Sequence, residues 1–294
     1  MNVLLLVNPT SGRGRALKLR DATTQAFITA GYSPTVHVTV SLDEATALAR
    51  CAKAGTLIAV LGGDGFLGAV VAGAKDSGAV ILPLAGGSGN DSVRRFGLPL
   101  DPVKTIKGIN SLIQRRVDLG VVNGRVFLGV ANVGFDGLAN ELGNSARINL
   151  GPLVYLYGGI KAFLSWRNVS FTLCVDGKQR EFPGWFVAVG NVGQYGGGLR
   201  ICPESRVDDG ALDVVSLGKA SILRVAEVFV RSYRGKHLRV PGISSVRGRD
   251  IRIESGTPLN IYADGEKVGP LPATIGVLPQ AVSMLVPNDS PVFG

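Results

Sequence analysis

Residues 56–75 read TLIAVLGGDGFLGAVVAGAK, and this stretch decides the fold. A short apolar run (56–61) enters Gly62-Gly63-Asp64-Gly65, and an apolar helical pattern follows over 66–75. The order predicts a buried strand, a tight turn and a helix. Glycines at such a junction let backbone N–H groups approach a ligand, and the helix start adds a positive dipole end, so phosphate is the natural guest. Asp64 sits inside that anion site. A carboxylate facing phosphate calls for a cation nearby, so a metal-assisted nucleotide site is expected. Gly63, Gly65 and Gly68 also match the dinucleotide spacing, but a strand, glycine turn and helix are common to α/β proteins, and the rest of the chain must decide.

The chain has 294 residues, which suggests two domains. With 46% hydrophobic and 18% charged residues it can bury sizeable cores and is not of the disordered class. A net charge of +9 favours acidic partners: nucleotides, nucleic acid or an anionic membrane surface. Aromatic residues are 6% and do not interleave with basic ones, so no nucleic-acid partner is expected. Cys51, Cys174 and Cys202 lie far apart without a CxxC pair, which suits a reducing cytoplasm rather than a disulfide framework or zinc site. His37 and His237 are isolated. The apolar run 3–7 is too short for a signal segment, and no run reaches the roughly 18 apolar residues that span a bilayer.

Residues 3–7 read as a first strand, 8–12 as a turn and 13–30 as a helix closed by Gly31. A strand over 34–40 and a helix over 43–54 follow, then the pivotal stretch, a strand over 79–84 and the loop Ala85-Gly86-Gly87-Ser88-Gly89-Asn90-Asp91. Alternation of this kind predicts a doubly wound parallel sheet with its glycine loops at the carboxyl ends of strands, where ligands bind. After about residue 117 strands dominate: 117–122, 126–133, 170–175, 184–189, 211–217, 250–253, 259–263 and 282–286. Helices interrupt them at about 154–166 and at 221–232, the latter with Leu223, Ala226, Phe229 and Val230 on one face. The expected architecture is an α/β domain over 1–122 and a β-rich domain over 123–286, closely packed around a cleft, with 287–294 returning to the first.

Four further stretches set polar groups beside glycines. Asn8, Pro9, Thr10, Ser11 and Gly12 form a turn that opens a helix, suited to phosphate or to plain helix capping. In the loop 87–91, Ser88 and Asn90 are within reach of a nucleotide. Asp208, Asp209 and Asp213 crowd Gly210, as a hairpin turn or as a Mg²⁺ site with one carboxylate, backbone carbonyls and waters. Asp264-Gly265-Glu266 is a hairpin turn whose carboxylate at a strand end suits a proton acceptor in phosphoryl transfer.

The ordered set Asn-Pro-x-Ser-Gly (8–12), Gly-Gly-Asp-Gly (62–65), Gly-Ser-Gly-Asn-Asp (87–91), Gly-Phe-Asp (134–136), Gly-Gly-Gly…Pro…Asp-Gly-x-Leu-Asp (196–213) and Asp-Gly-Glu (264–266) resembles the diacylglycerol kinase catalytic family. The bacterial soluble lipid kinases are the nearest branch, with sphingosine and ceramide kinases and the NAD kinase superfamily as relatives. The resemblance covers nearly the whole chain. It implies an N-terminal α/β nucleotide domain, a C-terminal β-sandwich, ATP in the cleft between them, Mg²⁺ dependence, and transfer of the γ-phosphoryl group to a lipid hydroxyl.

Position by position, the resemblance implies that Asn8, Pro9, Thr10, Ser11, Gly12, Thr39, Gly62, Gly63, Asp64, Gly65, Phe66, Leu67, Gly68 and Ser88 line the nucleotide. Asp209 binds Mg²⁺ with the backbone carbonyls of Arg206 and Ala211, while Asp118 and Asp213 reach it through water. Glu266 is the proton acceptor and Asp64 the acid of the glycine loop. Phe66 stands where the family usually has threonine, and Gly68-Ala69 replace its Asn-Glu. Two alternatives stay open: a lipid- or nucleotide-binding member with weakened catalysis, and a soluble-acceptor kinase of the NAD kinase type. The expected setting is cytoplasmic and peripheral to an anionic inner membrane face, with Arg231, Arg234, Lys236, Arg239, Arg247, Arg249 and Arg252 as lipid contacts. A homodimer is compatible with this plan.

Overall fold

The computed structural model describes residues 2–134 and 169–294. The helix expected at 154–166 and the Phe135 and Asp136 of the Gly-Phe-Asp motif lie outside the described residues.

Four parallel strands, β1 (Asn2–Val7), β2 (Ser33–Val38), β3 (Leu57–Gly62) and β4 (Val80–Ala85), stand in the order β4-β3-β1-β2. Every residue of β3 and β4 is buried because helices cover both faces of the sheet. Leu5, Val7, Ala59 and Leu61 pack with Ala16 and Phe27 of α1 (Ser11–Thr29) and Ile106 of α5 (Pro102–Lys107). The alternate residues Leu6, Ile58 and Val60 meet Ala45 and Ala49 of α2 (Leu42–Arg50) and Val70 and Val71 of α3 (Asp64–Ala74). A short α4 (Asp91–Arg95) follows β4. Local chemistry sets the helix starts. Ser41 Oγ accepts the Glu44 N–H at 3.1 Å, and Asp101 caps α5, with Pro102 in its first turn. Regular helix in α1 begins only after Gly12, Arg13 and Gly14, all left-handed at φ 60°, 58° and 84°.

The second half is antiparallel: β5 (Ile113–Val122), β6 (Arg125–Phe127), β7 (Val130–Gly134), β8 (Val169–Val175), β9 (Lys178–Gly190), β10 (Leu212–Gly218), β11 (Ile243–Gly248), β12 (Asp250–Ser255), β13 (Asn260–Ala263), β14 (Glu266–Pro270) and β15 (Ala273–Val286). Their inward residues, among them Phe127, Phe171, Val187, Ile253 and Ile275, form a sandwich core. β15 joins the halves. Its first residues pair with β12, and Ser283 and Met284 lie parallel to Val80 and Ile81 of β4, so one sheet path runs through both. Beyond it, Val292 enters the core of the first half, and the Phe293 ring lies 6.3 Å from that of Phe96.

Three strand expectations change. The strand expected at 126–133 is broken at Leu128 and Gly129, whose N–H groups turn instead to the Asp264 carboxylate. β15 begins nine residues earlier than residue 282, and β11 and β14 are exposed, polar strands without the alternation that marks a buried face. Helix α6 (Ile222–Ser232) forms, but its inward residues are Val225, Val228 and Ser232. The more apolar stripe of Leu223, Ala226, Phe229 and Val230 faces outward.

Candidate active site

Because β1, β3 and β4 are neighbours, the turns at their carboxyl ends are pressed together. A Cβ on Gly12 would lie 2.5 Å from Gly86 O, and one on Gly87 would lie 2.5 Å from Gly63 Cα. Ser11 Oγ accepts the Gly63 N–H at 3.2 Å, linking the first turn to the second. Asn8 Oδ1 accepts from the Thr10 N–H and hydroxyl. Thr39, at the end of β2, is buried with its hydroxyl donating to Val7 O at 3.3 Å. Asn90 wraps the third turn, accepting the Gly87 N–H at 2.7 Å and donating to Gly87 O at 2.8 Å, and it leaves Ser88 exposed at the crest. Three glycine turns back to back gather backbone N–H groups at one end of the sheet, the chemistry that suits phosphate. The variant Gly12→Ala is expected to lose about 1–2 kcal/mol from its left-handed backbone alone and more from the collision with Gly86. A denaturant midpoint equal to that of wild type would show that the turns are not locked together.

Asp64 does not stand open above its turn. Its Oδ2 accepts the Asp91 N–H at 3.0 Å and its Oδ1 the Ser92 N–H at 2.8 Å, which fixes the start of α4. α4 in turn clasps the second half. Asp91 accepts Gln194 Nε2 at 2.9 Å and the Gly197 N–H at 2.7 Å, and burial raises its carboxyl above the ordinary range. Arg95, buried, donates to Val192 O at 3.3 Å and Pro203 O at 2.7 Å.

The Asp264-Gly265-Glu266 turn reaches the same place from the other side. Asp264 Oδ2 accepts the Leu128 N–H at 2.8 Å, and Oδ1 accepts those of Gly129 at 2.8 Å and Val130 at 3.2 Å. Its backbone carbonyl lies 3.9 Å from where a Cβ on Gly65 would be, and its Oδ2 lies 3.0 Å from that point on Gly68. The turn carrying Glu266 is thus seated on the first turns of α3, next to Asp64. Glu266 opens β14 and is exposed.

Residues 2–122 match the family model of the diacylglycerol kinase catalytic domain, and residues 129–286 match that of the YegS C-terminal NAD kinase beta sandwich-like domain. A diacylglycerol kinase of Mycobacterium tuberculosis (strain CDC 1551 / Oshkosh) is 32% identical over 97% of this chain and 95% of its own. The chain belongs to the diacylglycerol kinase family. A diacylglycerol kinase of Bacillus subtilis (strain 168) is 28% identical over 97% of this chain and 96% of its own. A diacylglycerol kinase structure from Bacillus anthracis str. Sterne shares the fold, with a TM-score of 0.75 at 22% identity over 98% of each chain.

Within this diacylglycerol kinase family fold, the side chains of Phe66 and Leu67 are buried in the core. The Phe66 ring folds over Gly62, where an added Cβ would meet its Cδ1 at 2.4 Å. An aromatic ring on the first turn of an apolar helix is drawn inward, so any approach of Phe66 to a nucleotide would be through its backbone. Gly68 has a role of its own, since its missing side chain leaves space for the Asp264 carboxylate.

The expected metal ligands gather around the loop before β10, with Asp118 reaching it from β5 and Asp213 standing at the start of β10. Asp118 is fully buried, and its carboxylate accepts the N–H groups of Gly210 at 2.7 Å and Gln280 at 2.6 Å. Asp209 Oδ1 accepts the Ala211 N–H at 3.1 Å, while its Oδ2 pairs with Arg247. Arg247 also lies 3.6 Å from Asp213 Oδ1, and Asp213 Oδ2 is buried without a hydrogen-bond partner. Among the described residues no three His, Cys, Asp or Glu side chains converge as a metal cage. The set nonetheless fits a hydrated Mg²⁺: hard oxygens, one orphaned buried carboxylate oxygen, and a guanidinium now supplying the balancing charge.

Burial pushes the Asp264 carboxyl up to about 6, against the pull of its three N–H donors, and burial likewise pushes Asp213 up to about 6. Both ordinarily titrate at 3.8, so the folded protein holds these protons more tightly than the unfolded chain does. The stability they contribute is fully present below about pH 4 and is lost as pH rises through about 6. In EDTA-containing buffer, Asp213→Asn is expected to flatten the fall in denaturant midpoint between those pH values. An unchanged slope would contradict the assignment.

The Asp91–Gln194–Gly197 clasp and the Asp264 amide cradle were not foreseen. The only sequence signal was an Asp next to Asn90 and an Asp-Gly turn, both of which local turn chemistry explains equally well.

Proposed function

We propose that this chain transfers the γ-phosphoryl group of ATP to the hydroxyl of a lipid, diacylglycerol-like or sphingoid. The observation that carries the reading is the seating of the Asp264–Glu266 turn on Gly65 and Gly68, beside three interlocked glycine turns. In this reading the exposed carboxylate of Glu266 would stand at the edge of an amide-rich phosphate cradle. Phosphoryl transfer asks a protein mainly for positioning and charge neutralisation. N–H groups of the turns at Gly12, Gly63 and Gly87 would hold the phosphates. Glu266 would accept the proton of the attacking hydroxyl. Asp209, the carbonyls of Arg206 and Ala211, and through water Asp118 and Asp213, would hold Mg²⁺, which neutralises phosphate charge when bound. The names of the relatives support diacylglycerol as first acceptor. No described helix is long and apolar enough to cross a membrane, and we place the enzyme in the cytoplasm at the inner membrane face.

The test is purified protein with γ-labelled ATP, Mg²⁺ and vesicles containing diacylglycerol or a sphingoid base, with NAD as the soluble alternative. Label in the lipid fraction is expected. Label in NADP alone would replace the reading. The inward-folded Phe66 keeps one second reading in view, a member with weakened catalysis. Intact ATP binding by calorimetry without transfer to any acceptor would favour it.

A further inference from the structure

Helix α6 has three faces. Val225, Val228 and Ser232 pack onto the outer side of the sandwich, with Trp185, Leu217 and Val240 as neighbours. Arg224, Glu227 and Arg231 form a charged stripe, with Glu227 bound to Arg224 at 3.1 Å and to Arg231 at 2.9 Å. The third face is apolar and open: Ile222, Leu223 (81% exposed), Phe229, Val230 (68% exposed) and Tyr233. Half of the large hydrophobic side chains exposed among the described residues fall in these twelve residues, so this is a patch and not scatter. Phe229 and Tyr233 brace each other edge to face at 5.5 Å.

Next to the patch, Val230, Arg231, Tyr233, Arg234 and Lys236 line an open groove of about 520 Å³. From Ile222 to Lys236 the chain carries three net positive charges, and its single acid, Glu227, is already paired. An apolar helix face flanked by basic and aromatic side chains is the pattern that lies flat in a lipid interface. We propose that α6 and the turn after it, through Tyr233 to Lys236, dock this protein onto an anionic phospholipid surface, with the face of Leu223, Phe229 and Val230 in the acyl boundary and Arg234 and Lys236 on headgroup phosphates. A second copy of the chain is disfavoured as occupant. Two-fold pairing of this face would set Arg231, Arg234 and Lys236 against their own kind. Arg247 and Arg252 do not belong to the surface, since they are engaged by Asp209 and Glu254.

The face also lies close to the candidate active site. The Tyr233 ring packs 3.7 Å from the Cβ position of Gly198, whose neighbour Gly197 donates to Asp91. A membrane under α6 therefore sits beside the clasp that Asp64 holds. This deepens the lipid-kinase reading, which supplies its purpose, and its test is kept apart from turnover.

Co-sedimentation is measured with phosphatidylcholine vesicles, with and without phosphatidylglycerol, for wild type, Leu223→Glu/Val230→Glu and Arg234→Glu/Lys236→Glu. Wild type is expected to bind the anionic vesicles in a salt-sensitive way. The first variant should bind about tenfold or more weakly, and the second should lose its preference for phosphatidylglycerol. All three should phosphorylate a monodisperse short-chain diacylglycerol at equal rates, which also shows that the variants fold. Equal vesicle binding by all three overturns the docking face. So does a wild-type dimer by light scattering that Leu223→Glu/Val230→Glu converts to monomer, since the face would then be an interface between copies. Vesicle binding that follows the expected pattern, with no turnover by any of them, would leave docking standing and remove the kinase reading.

Discussion

Asp64→Asn is expected to lower kcat/KM for lipid phosphorylation by about 10³-fold, the range set by removing a preorganised group from such a site. Both carboxylate oxygens of Asp64 accept N–H groups, those of Asp91 and Ser92. An amide offers one oxygen and turns an NH₂ group toward a donor, so one of the two contacts becomes a repulsion. Release of α4 then propagates, because Asp91 and Arg95 on the same short helix hold Gly197, Gln194 and Pro203 of the second half. The stability cost of one unsatisfied buried donor is about 1–3 kcal/mol, within the 5–15 kcal/mol that typical domains have in hand. The variant should therefore fold and fail in transfer. Activity within tenfold of wild type would show that the clasp is dispensable.

Glu266→Gln should behave differently. The side chain is exposed at the start of β14, so thermal stability should match wild type. Loss of a general base costs about 10²–10⁴-fold in kcat, while KM for ATP should change little if, as proposed, the glycine turns and not Glu266 hold the phosphates. Steady-state kinetics on vesicles separates the two parameters. A variant with normal kcat would move the proton acceptor elsewhere.

Much of the fold is legible in the amino-acid sequence. The parallel order of the first half follows from three apolar runs that end in glycine turns, because only strands buried on both faces read as unbroken runs. The glycine turns are legible where the backbone demands one residue type, as at Gly12 and Gly87. The site is not legible where the determinant is tertiary. The break at Leu128 and Gly129 depends on a carboxylate 135 residues away from Gly129. The inward turn of Phe66 depends on the space above Gly62, and the outward face of α6 on which of two apolar stripes the sandwich accepts. β15 was read short because Pro279 and Gln280, exposed at a register shift with Gln280 left-handed at φ 47°, interrupt its apolar run before Val282.

The central claim is that Asp64 and Glu266, from opposite halves of the chain, face one bound triphosphate. A crystal structure with a non-hydrolysable ATP analogue and Mg²⁺ tests it most directly. The account predicts phosphates over the turns at Gly12, Gly63 and Gly87, with the γ-phosphate toward Glu266. A nucleotide seated elsewhere, or with its γ-phosphate turned away from the Asp264–Glu266 turn, would contradict it.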